Sequence, residues 1–528
     1  MEMTITVHVP RRRPRPVDVV VRWSGTYTAT DLATALGDHL NEPVPFLTAG
    51  GGTVDVNTLV GMPPLVHGAS VAVGSGAPCA ESLPSPGTVL DLAVVGGPDS
   101  GRSCPLTPPS LHIGRSVPDG LVVADEALSR YHARVDVGSS GIVVEDVGST
   151  NGVVVDGRVL RGPTAIDGSS TIVLGSSTLR VRRGGGAGLP LHPFGDGRLA
   201  VRPPAAPVRP LGPVEVESPT APLEPQRARI PWLGALVPVP IALALAVVLG
   251  PQLLLFALLG PVALVANAVA DRWGAGRAHR RATAAHAGAL REAQERLRRA
   301  LQDEVARLDA DHPDPHAVLG IAEGRLPGLW QGGGLDVRLG LGDVATRVAW
   351  LDGSRREHPL ASGAPVVIDL TDVGCLGVVG PPTVTDRLLA NIVGQLCTRH
   401  PPDRLMVAVV ATTPSWEWTR RMPHAVADWS GDVSGALEPP PPVRLVVVPS
   451  ATTESVASVE PAIRVEEAVM VTAATTAGAL PTGCTAVLEA TRDGRHALSR
   501  GADRTVLTPD GVGLWWCDRV SRALAPLR

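Results

Sequence analysis

The chain has 528 residues, 47 of them basic and 51 acidic, for a formal charge of −4; that length asks for about three or four compact units, and that charge gives no case for wholesale nucleic-acid binding. Lysine is absent, so all 47 basic residues are arginine, which excludes any chemistry that needs a lysine ammonium. The cysteines at 79, 104, 375, 397, 484 and 517 form no CxxC pair and no Cys/His spacing suited to zinc, so no metal or other cofactor is expected.

The amino-terminal MEMTITVHVP alternates like a strand and lacks the apolar run of a secretory signal, so the part ahead of the long apolar segment is expected in the cytosol. Residues 3–9 and 17–23 read as strands joined by RRRPRP, whose Arg11, Arg12, Arg13 and Arg15 suit either an acidic partner or a solvated hairpin tip. The helix-like TATDLATALGDHL, then PVPFLTAG, TLVGMPPLVHG and ASVAVG, complete a small α+β unit over residues 1–76. This order resembles the ubiquitin-like β-grasp, in the form that opens several components of type VII secretion systems. The Gly-Gly tail of a conjugating ubiquitin is missing.

Short valine-rich runs between Gly, Pro, Ser and Asp turns fill residues 88–183 and predict an all-β sandwich. Proline and glycine then dominate residues 184–229, a semi-extended linker. No charge occurs from Ile230 to Ala270, and Gly250-Pro251-Gln252 divides the span into arms 230–249 and 252–270. Each arm is near the roughly 20 residues that cross a bilayer. A two-helix transmembrane hairpin in the lipid bilayer is therefore expected, with a buried helical hairpin as the alternative; Pro238 and Pro240 weaken the first arm without excluding it. Arg227 and Arg229 before it, and Arg272, Arg277, Arg280 and Arg281 after it, put both ends in the cytoplasm.

Residues 275–311 read as a charged juxtamembrane helix whose Leu290, Leu297, Leu301 and Leu308 suit equally a coiled coil between copies or packing on the next domain. His279 and His286 would stand about 10 Å apart along it, too far for one metal ion. From 312 to 528, apolar runs such as PVVIDL, CLGVVG, LMVAVV and VRLVVV alternate with helical segments, predicting an α/β domain with a parallel sheet covered on both faces.

That domain raises the question of catalysis. CLGVVGPPTVTDRLL has a strand-loop-helix outline, but counting from Gly380 the loop offers Pro381 and Pro382, which have no N–H for a phosphate. Thr385 replaces the second glycine and Asp386 the lysine of a nucleotide-hydrolysing loop, and VRLVVV ends in Pro449-Ser450 instead of a magnesium-holding aspartate. HExxH, GxSxG at a strand-to-helix turn and GxGxxG with an acidic partner are all missing. Glu466-Glu467 reads as a helix surface, and Trp416 and Trp418 as packing residues. The domain is expected to be a degenerate nucleotide-binding fold, with no catalytic residue and no enzyme activity.

Within the predicted sandwich, Gly114-Arg115, Ser129-Arg130-Tyr131-His132 and Gly148-Ser149-Thr150-Asn151-Gly152 follow one another closely. Each alone suits an ordinary turn: Asn151-Gly152 is a hairpin dipeptide and His132 could simply brace its loop. Together they place hydroxyls and guanidinium groups where a phosphorylated side chain needs a fixed cation and neutral donors. The set GR, SxxH, GSTNG resembles the forkhead-associated (FHA) family of phosphothreonine-binding sandwiches. The resemblance implies that Arg115, Ser129 and Thr150 hold phosphate, that Arg130 assists and that Asn151 holds peptide backbone. Gly114, His132, Gly148 and Gly152 would be structural.

The whole layout is similar to the front of the FtsK/SpoIIIE-type membrane ATPases of type VII secretion, the EssC/EccC kind. The expected fold class is therefore multidomain: a ubiquitin-like α+β unit, an all-β FHA sandwich, a two-helix transmembrane hairpin and a degenerate α/β P-loop-like domain. The expected function is a two-pass bacterial membrane adaptor, both large parts cytoplasmic, that binds a phosphothreonine-containing kinase target for a secretion assembly. Alternatives are the amino-terminal part of an ATP-driven translocase with its motor split off or lost, and a phosphate-independent scaffold. Secretion-system components and further copies of the chain are candidate partners.

Overall fold

The structure, a computed structural model, describes residues 1–9, 16–74, 90–106, 110–139, 141–205, 212–222, 240, 243, 247, 255–410, 413–426, 443–450, 468–490 and 496–528. They fall into two compact units: Met1–Arg209 with Arg307–Val344 and Ser362–Arg528, and Pro210–Ala306 with Ala345–Ala361. The arginines at 11, 12, 13 and 15 and the pair Glu466-Glu467 lie outside the described residues.

The first unit opens with strands β1 (Glu2–His8) and β2 (Val17–Arg22), helix α1 (Ala29–Leu40), and strands β3 (Leu47–Ala49), β4 (Gly52–Thr53) and β5 (Ser70–Val73). The sheet order is β2-β1-β5-β3-β4, with β1 parallel to β5, a β-grasp arrangement. Helix α1 begins where a capping box fixes it: the Asp31 carboxylate accepts the Thr28 amide at 2.8 Å, and Thr28 Oγ1 accepts the Asp31 amide at 3.4 Å. Its buried Leu32, Ala33 and Leu36 share one core with Met3, Ile5 and Val7 of β1.

Next comes the sandwich: β6 (Leu90–Gly96), β7 (Ser103–Pro105), β8 (Ser110–Gly114), β9 (Gly120–Val122), β10 (Ala133–Gly138), β11 (Gly141–Asp146), β12 (Val153–Val155), β13 (Arg158–Val159), β14 (Thr164–Ile166), β15 (Thr171–Leu174) and β16 (Ser177–Arg183). One sheet runs β14-β11-β10-β8-β9 and the other β13-β12-β15-β16-β6-β7. Ile113, Val135 and Val144 of the first face Leu92, Ile172 and Leu179 of the second in a single core, as period-2 strands with one buried face require. Ala133 lies opposite both Ile113 and Asp146. The end of β8, the start of β10 and the end of β11 therefore share one edge of the sandwich, and that register decides where the binding motif goes.

A hairpin of β17 (Leu191–Pro193) and β18 (Leu199–Val201) and a strand β19 (Val214–Glu217) follow, so the span expected as plain linker carries three short strands. Helix α2 covers Leu255–Asp311 and α3 Pro315–Gly324. Strands β20 (Asp336–Ala345), β21 (Val348–Asp352), β22 (Arg355–Glu357), β23 (Leu360–Asp369), β24 (Cys375–Val379), helix α4 (Pro382–Arg399), β25 (Leu405–Val409), β26 (Val443–Val448), β27 (Ala468–Ala474), β28 (Ala486–Glu489), β29 (His496–Arg500), β30 (Asp503–Pro509) and helix α5 (Leu514–Leu524) complete the chain. The large sheet runs β23-β20-β30-β29-β28-β24-β27-β26-β25. Its β28-β24-β27-β26-β25 block is parallel, and β29 and β30 extend it antiparallel, so the sheet is mixed instead of wholly parallel. In the second unit β19 pairs parallel with β21, and β22 antiparallel with β21.

The transmembrane hairpin is overturned. Among the described residues no helix is long and apolar enough to cross a membrane. The apolar start of α2 does not end as an arm: the helix runs on without a break into charged sequence, reaching Asp311 after 57 residues. The described part of α2 ahead of its first charge, Asp271, runs from Leu255 to Ala270. The arm 230–249, apart from Pro240, Leu243 and Val247, and residues 252–254 lie outside the described residues. The juxtamembrane helix expected at 275–311 is the distal part of α2.

Strand β6 lacks the alternation of its neighbours because both its faces are covered within the first unit. Leu92 and Val94 enter the sandwich core, while Ala93 and Val95 cluster with Leu341 of β20. At this seam stands Arg338, 1% exposed. Its Nε donates to Asp510 Oδ2 at 2.7 Å, one terminal nitrogen to Asp309 at 3.0 Å, and the other to the Val95 carbonyl at 2.9 Å. Arg180 and Arg182 of β16 reach Asp309 and Asp314. Burial, with Asp309 and Asp314 nearby, outweighs the pull of Arg338 and lifts the Asp510 carboxyl to about 6.

Candidate functional site

Three loops meet at the edge fixed by that register. Gly114-Arg115 leaves β8, Ser129 to His132 enters β10, and Gly148 to Gly152 leaves β11 for β12. The backbones interlock first: the Arg115 amide donates to Ser129 O at 3.0 Å and the Ser116 amide to Arg130 O at 3.3 Å. This approach explains Gly114, since a Cβ there would sit 2.1 Å from Arg130 O. Gly148 and Gly152 have φ of 88° and 77°, a region that other residues rarely adopt.

His132 is fully buried under the loops. Its Nδ1 accepts the Ser129 amide at 3.1 Å, so the ring proton sits on Nε2 and is donated to the Gly152 carbonyl, also at 3.1 Å. One imidazole thus ties the second loop to the third. Ser129 ties them again: its hydroxyl accepts the Thr150 amide at 3.0 Å and donates to Thr150 Oγ1 at 3.3 Å. Asn151 Nδ2 donates to Ala127 O at 2.8 Å, which leaves a second N–H and Oδ1 for a ligand.

Residues outside the motif hold this frame. The Asp146 carboxylate accepts the amides of Gly148 and Ser149 at 3.0 and 2.8 Å and the Ser149 hydroxyl at 3.1 Å. Burial opposes its ionisation, but the bonds from Ser149 and Gly148 win and hold the carboxyl below its ordinary value. Asp125, 3% exposed, accepts the Ala127 amide at 2.9 Å, the Ser176 amide at 2.8 Å and the Ser177 hydroxyl at 2.8 Å. The Asp-x-Gly-Ser spacing at 146–149 is an Asx-turn signal that could have been found in the sequence. The partners of Asp125, some 50 residues away, could not.

The result is an open cleft of about 540 Å³ lined by Arg115, Glu126, Ala127, Leu128, Ser129, Arg130, Tyr131, Thr150 and Asn151. All five expected phosphopeptide-binding residues line it; Glu126 and Tyr131 join them without having been expected. Arg115 and Arg130 are exposed, and among the described residues neither guanidinium has a carboxylate within ion-pair reach. Tyr131 packs edge-on against His112, with centroids 6.1 Å apart.

The model of a family described as the cytoplasmic domain of the inner-membrane component of type III secretion systems, Yop-YscD, matches residues 93–185. This segment is an FHA domain. Similar solved structures are the FHA domain of CT664 from Chlamydia trachomatis, 25% identical, covering 18% of this chain and 96% of that one, TM-score 0.17, and the FhaA FHA domain, 28% identical, 18% and 99% covered, TM-score 0.17; the latter is described as complexed with the intracellular domain of Rv3910. The ESX-4 secretion system protein EccC4 of Mycobacterium tuberculosis (strain ATCC 25618 / H37Rv) is 29% identical over 143 residues. That match spans 22% of this chain and only 11% of the relative.

The other place the sequence singled out is the loop after β24. Gly380 is pressed so close to Ala490 that a Cβ would meet its carbonyl oxygen at 2.2 Å. Asp386, at the position of the missing lysine, accepts bonds from Ser415 Oγ at 3.2 Å and Trp416 Nε1 at 3.4 Å. Burial raises its carboxyl despite those bonds. Trp416 and Trp418 are buried and stacked, centroids 5.9 Å apart. Among the described residues no group of His, Cys, Asp and Glu is placed to hold a metal ion.

Proposed function

We propose that the chain reads phosphothreonine in a partner protein, through its FHA domain, as an adaptor of a secretion-type assembly. The observation that carries this reading is the pair of exposed guanidinium groups of Arg115 and Arg130, without an ion pair among the described residues, on one cleft beside the hydroxyls of Ser129 and Thr150. A phosphate monoester brings nearly two negative charges and three acceptor oxygens. Arg115 supplies a planar fork for two of those oxygens. Ser129 turns its hydroxyl hydrogen from Thr150 Oγ1 toward the phosphate, Thr150 donates its own, and the unspent N–H of Asn151 meets ligand backbone. The secretion context rests on the relatives' descriptions: an inner-membrane component of one secretion system and an ESX-4 protein of another.

The similarity to EccC4 also favours a second reading, in which the chain is the amino-terminal part of a translocase. The segment 375–399 would then serve as a non-hydrolysing domain, because Asp386 and two prolines occupy the loop where phosphate and magnesium chemistry needs lysine and amides. We take the chain to have no enzymatic activity of its own.

The test is affinity of the full chain for a phosphothreonine peptide and its unmodified twin. Arg115→Ala is expected to cost about 1.5–3 kcal/mol through the lost charge-assisted bonds, leaving the twin's weak binding unchanged. Equal affinity for the two peptides in the folded wild-type chain eliminates the reading.

A further inference from the structure

Glu126 is the feature of the cleft that phosphate recognition does not absorb. It is exposed, lies on the wall shared with Arg115 and Arg130, and among the described residues has no ion pair. An unpaired carboxylate beside an anion-binding site weakens phosphate binding unless the ligand brings a cation to it. Its placement is also rigid. The preceding residue, Asp125, is buried and locked to Ser176 and Ser177, and the following one, Ala127, is held through its amide by Asp125 and through its carbonyl by Asn151. Gly175 backs the same segment, since a Cβ there would meet Ala127 at 2.9 Å. Two neighbours fixed on both sides present residue 126 at a constant distance from the phosphate-binding groups, which is the preorganisation that selectivity needs.

We propose that Glu126 is a specificity-determining residue that selects phosphothreonine segments carrying an arginine or lysine near the modified residue. The statement rests on the phosphopeptide reading and refines it: the ligand is bipolar, with a dianion on Arg115 and Arg130 and a cation on Glu126. Acidic flanks meet Glu126 as a like charge and are rejected, so selection comes from repulsion as much as attraction.

The experiment uses the full chain and a set of phosphothreonine peptides with alanine flanks, into which one arginine or one aspartate is placed at each position from three residues before to three after the phosphothreonine. At one or two positions arginine is expected to raise affinity about two- to fivefold over alanine, the size of an exposed charge pair, and aspartate to lower it. Glu126→Gln should flatten this preference and Glu126→Arg should invert it, with the phosphorylated peptide still bound in preference to its unmodified twin in both. A flat arginine scan in wild type, or the same preference in Glu126→Gln, overturns the proposal while phosphate dependence stands. So does a uniform gain of affinity in Glu126→Gln whatever the flanks, which would mean the carboxylate only covers the empty arginines. Loss of phosphate dependence in wild type removes the underlying reading as well.

Discussion

Replacing His132 by alanine tests how the cleft is built without touching any group that faces the ligand. The ring is fully buried and bridges the Ser129 amide and the Gly152 carbonyl, each at 3.1 Å. Losing two such bonds costs about 1 kcal/mol each, and a void the size of an imidazole in a close-packed sandwich adds about 1–3 kcal/mol. The FHA domain should therefore lose about 3–5 kcal/mol of local stability. Arg115, Arg130, Ser129 and Thr150 keep their chemistry but not their spacing. Reordering two loops on binding costs about 1–2 kcal/mol, so phosphopeptide affinity should fall roughly 5- to 30-fold. Fluorescence anisotropy on the full chain reads the affinity, and hydrogen exchange across residues 127–152 reads the loops. His132→Asn, which keeps an acceptor near Nδ1, and His132→Gln, which keeps a donor near Nε2, should each lose less than alanine. Wild-type affinity and unchanged exchange of the Ser129 amide in His132→Ala would refute the bridge.

Gly114→Ala should push the Ser129–Arg130 backbone aside, because the new methyl falls 2.1 Å from Arg130 O; a destabilisation of about 1–3 kcal/mol and weaker phosphopeptide binding are expected by thermal melting and anisotropy. Arg338→Ala leaves Asp510 buried without its cation, and Asp309 with Arg180 alone, in the seam between the FHA domain and β20, and should cost about 3–5 kcal/mol in urea unfolding of the full chain. The folded-state carboxyl of Asp510 is raised to about 6, so between about pH 4 and 6 the folded chain holds a proton that the unfolded chain has released. Stability from this group is present below that window and falls by up to about 3 kcal/mol as pH rises through it; urea midpoints should show the slope in wild type and not in Asp510→Asn. Magnesium and ATP should leave the melting temperature of the full chain unchanged, whereas a site filled at one hundred times its Kd would add about 2.7 kcal/mol.

What the sequence determined by itself is local in origin. The GR, SxxH and GSTNG stretches name their own turns, because glycine and Asx residues restrict the backbone over two to four positions and need no distant partner. Short valine-rich runs between Gly, Pro, Ser and Asp turns marked a sandwich, and TATDLATALGDHL marked the first helix. Tertiary structure decided whatever depends on residues far apart in the chain. Only the register of Ala133 against Ile113 and Asp146 brings the three loops to one edge. Only folding sets Asp125 against Ser176 and Ser177, and so fixes Glu126 in the wall of the cleft. The apolar span misled for a related reason: hydropathy counts uncharged residues, but a helix ends where its backbone hydrogen bonding ends. From Leu255 on, the described residues of that span belong to a helix whose bonding continues past Asp271 to Asp311. Burial of Arg338 was equally illegible, since a lone arginine in a strand declares neither its carboxylates nor the second domain that covers it.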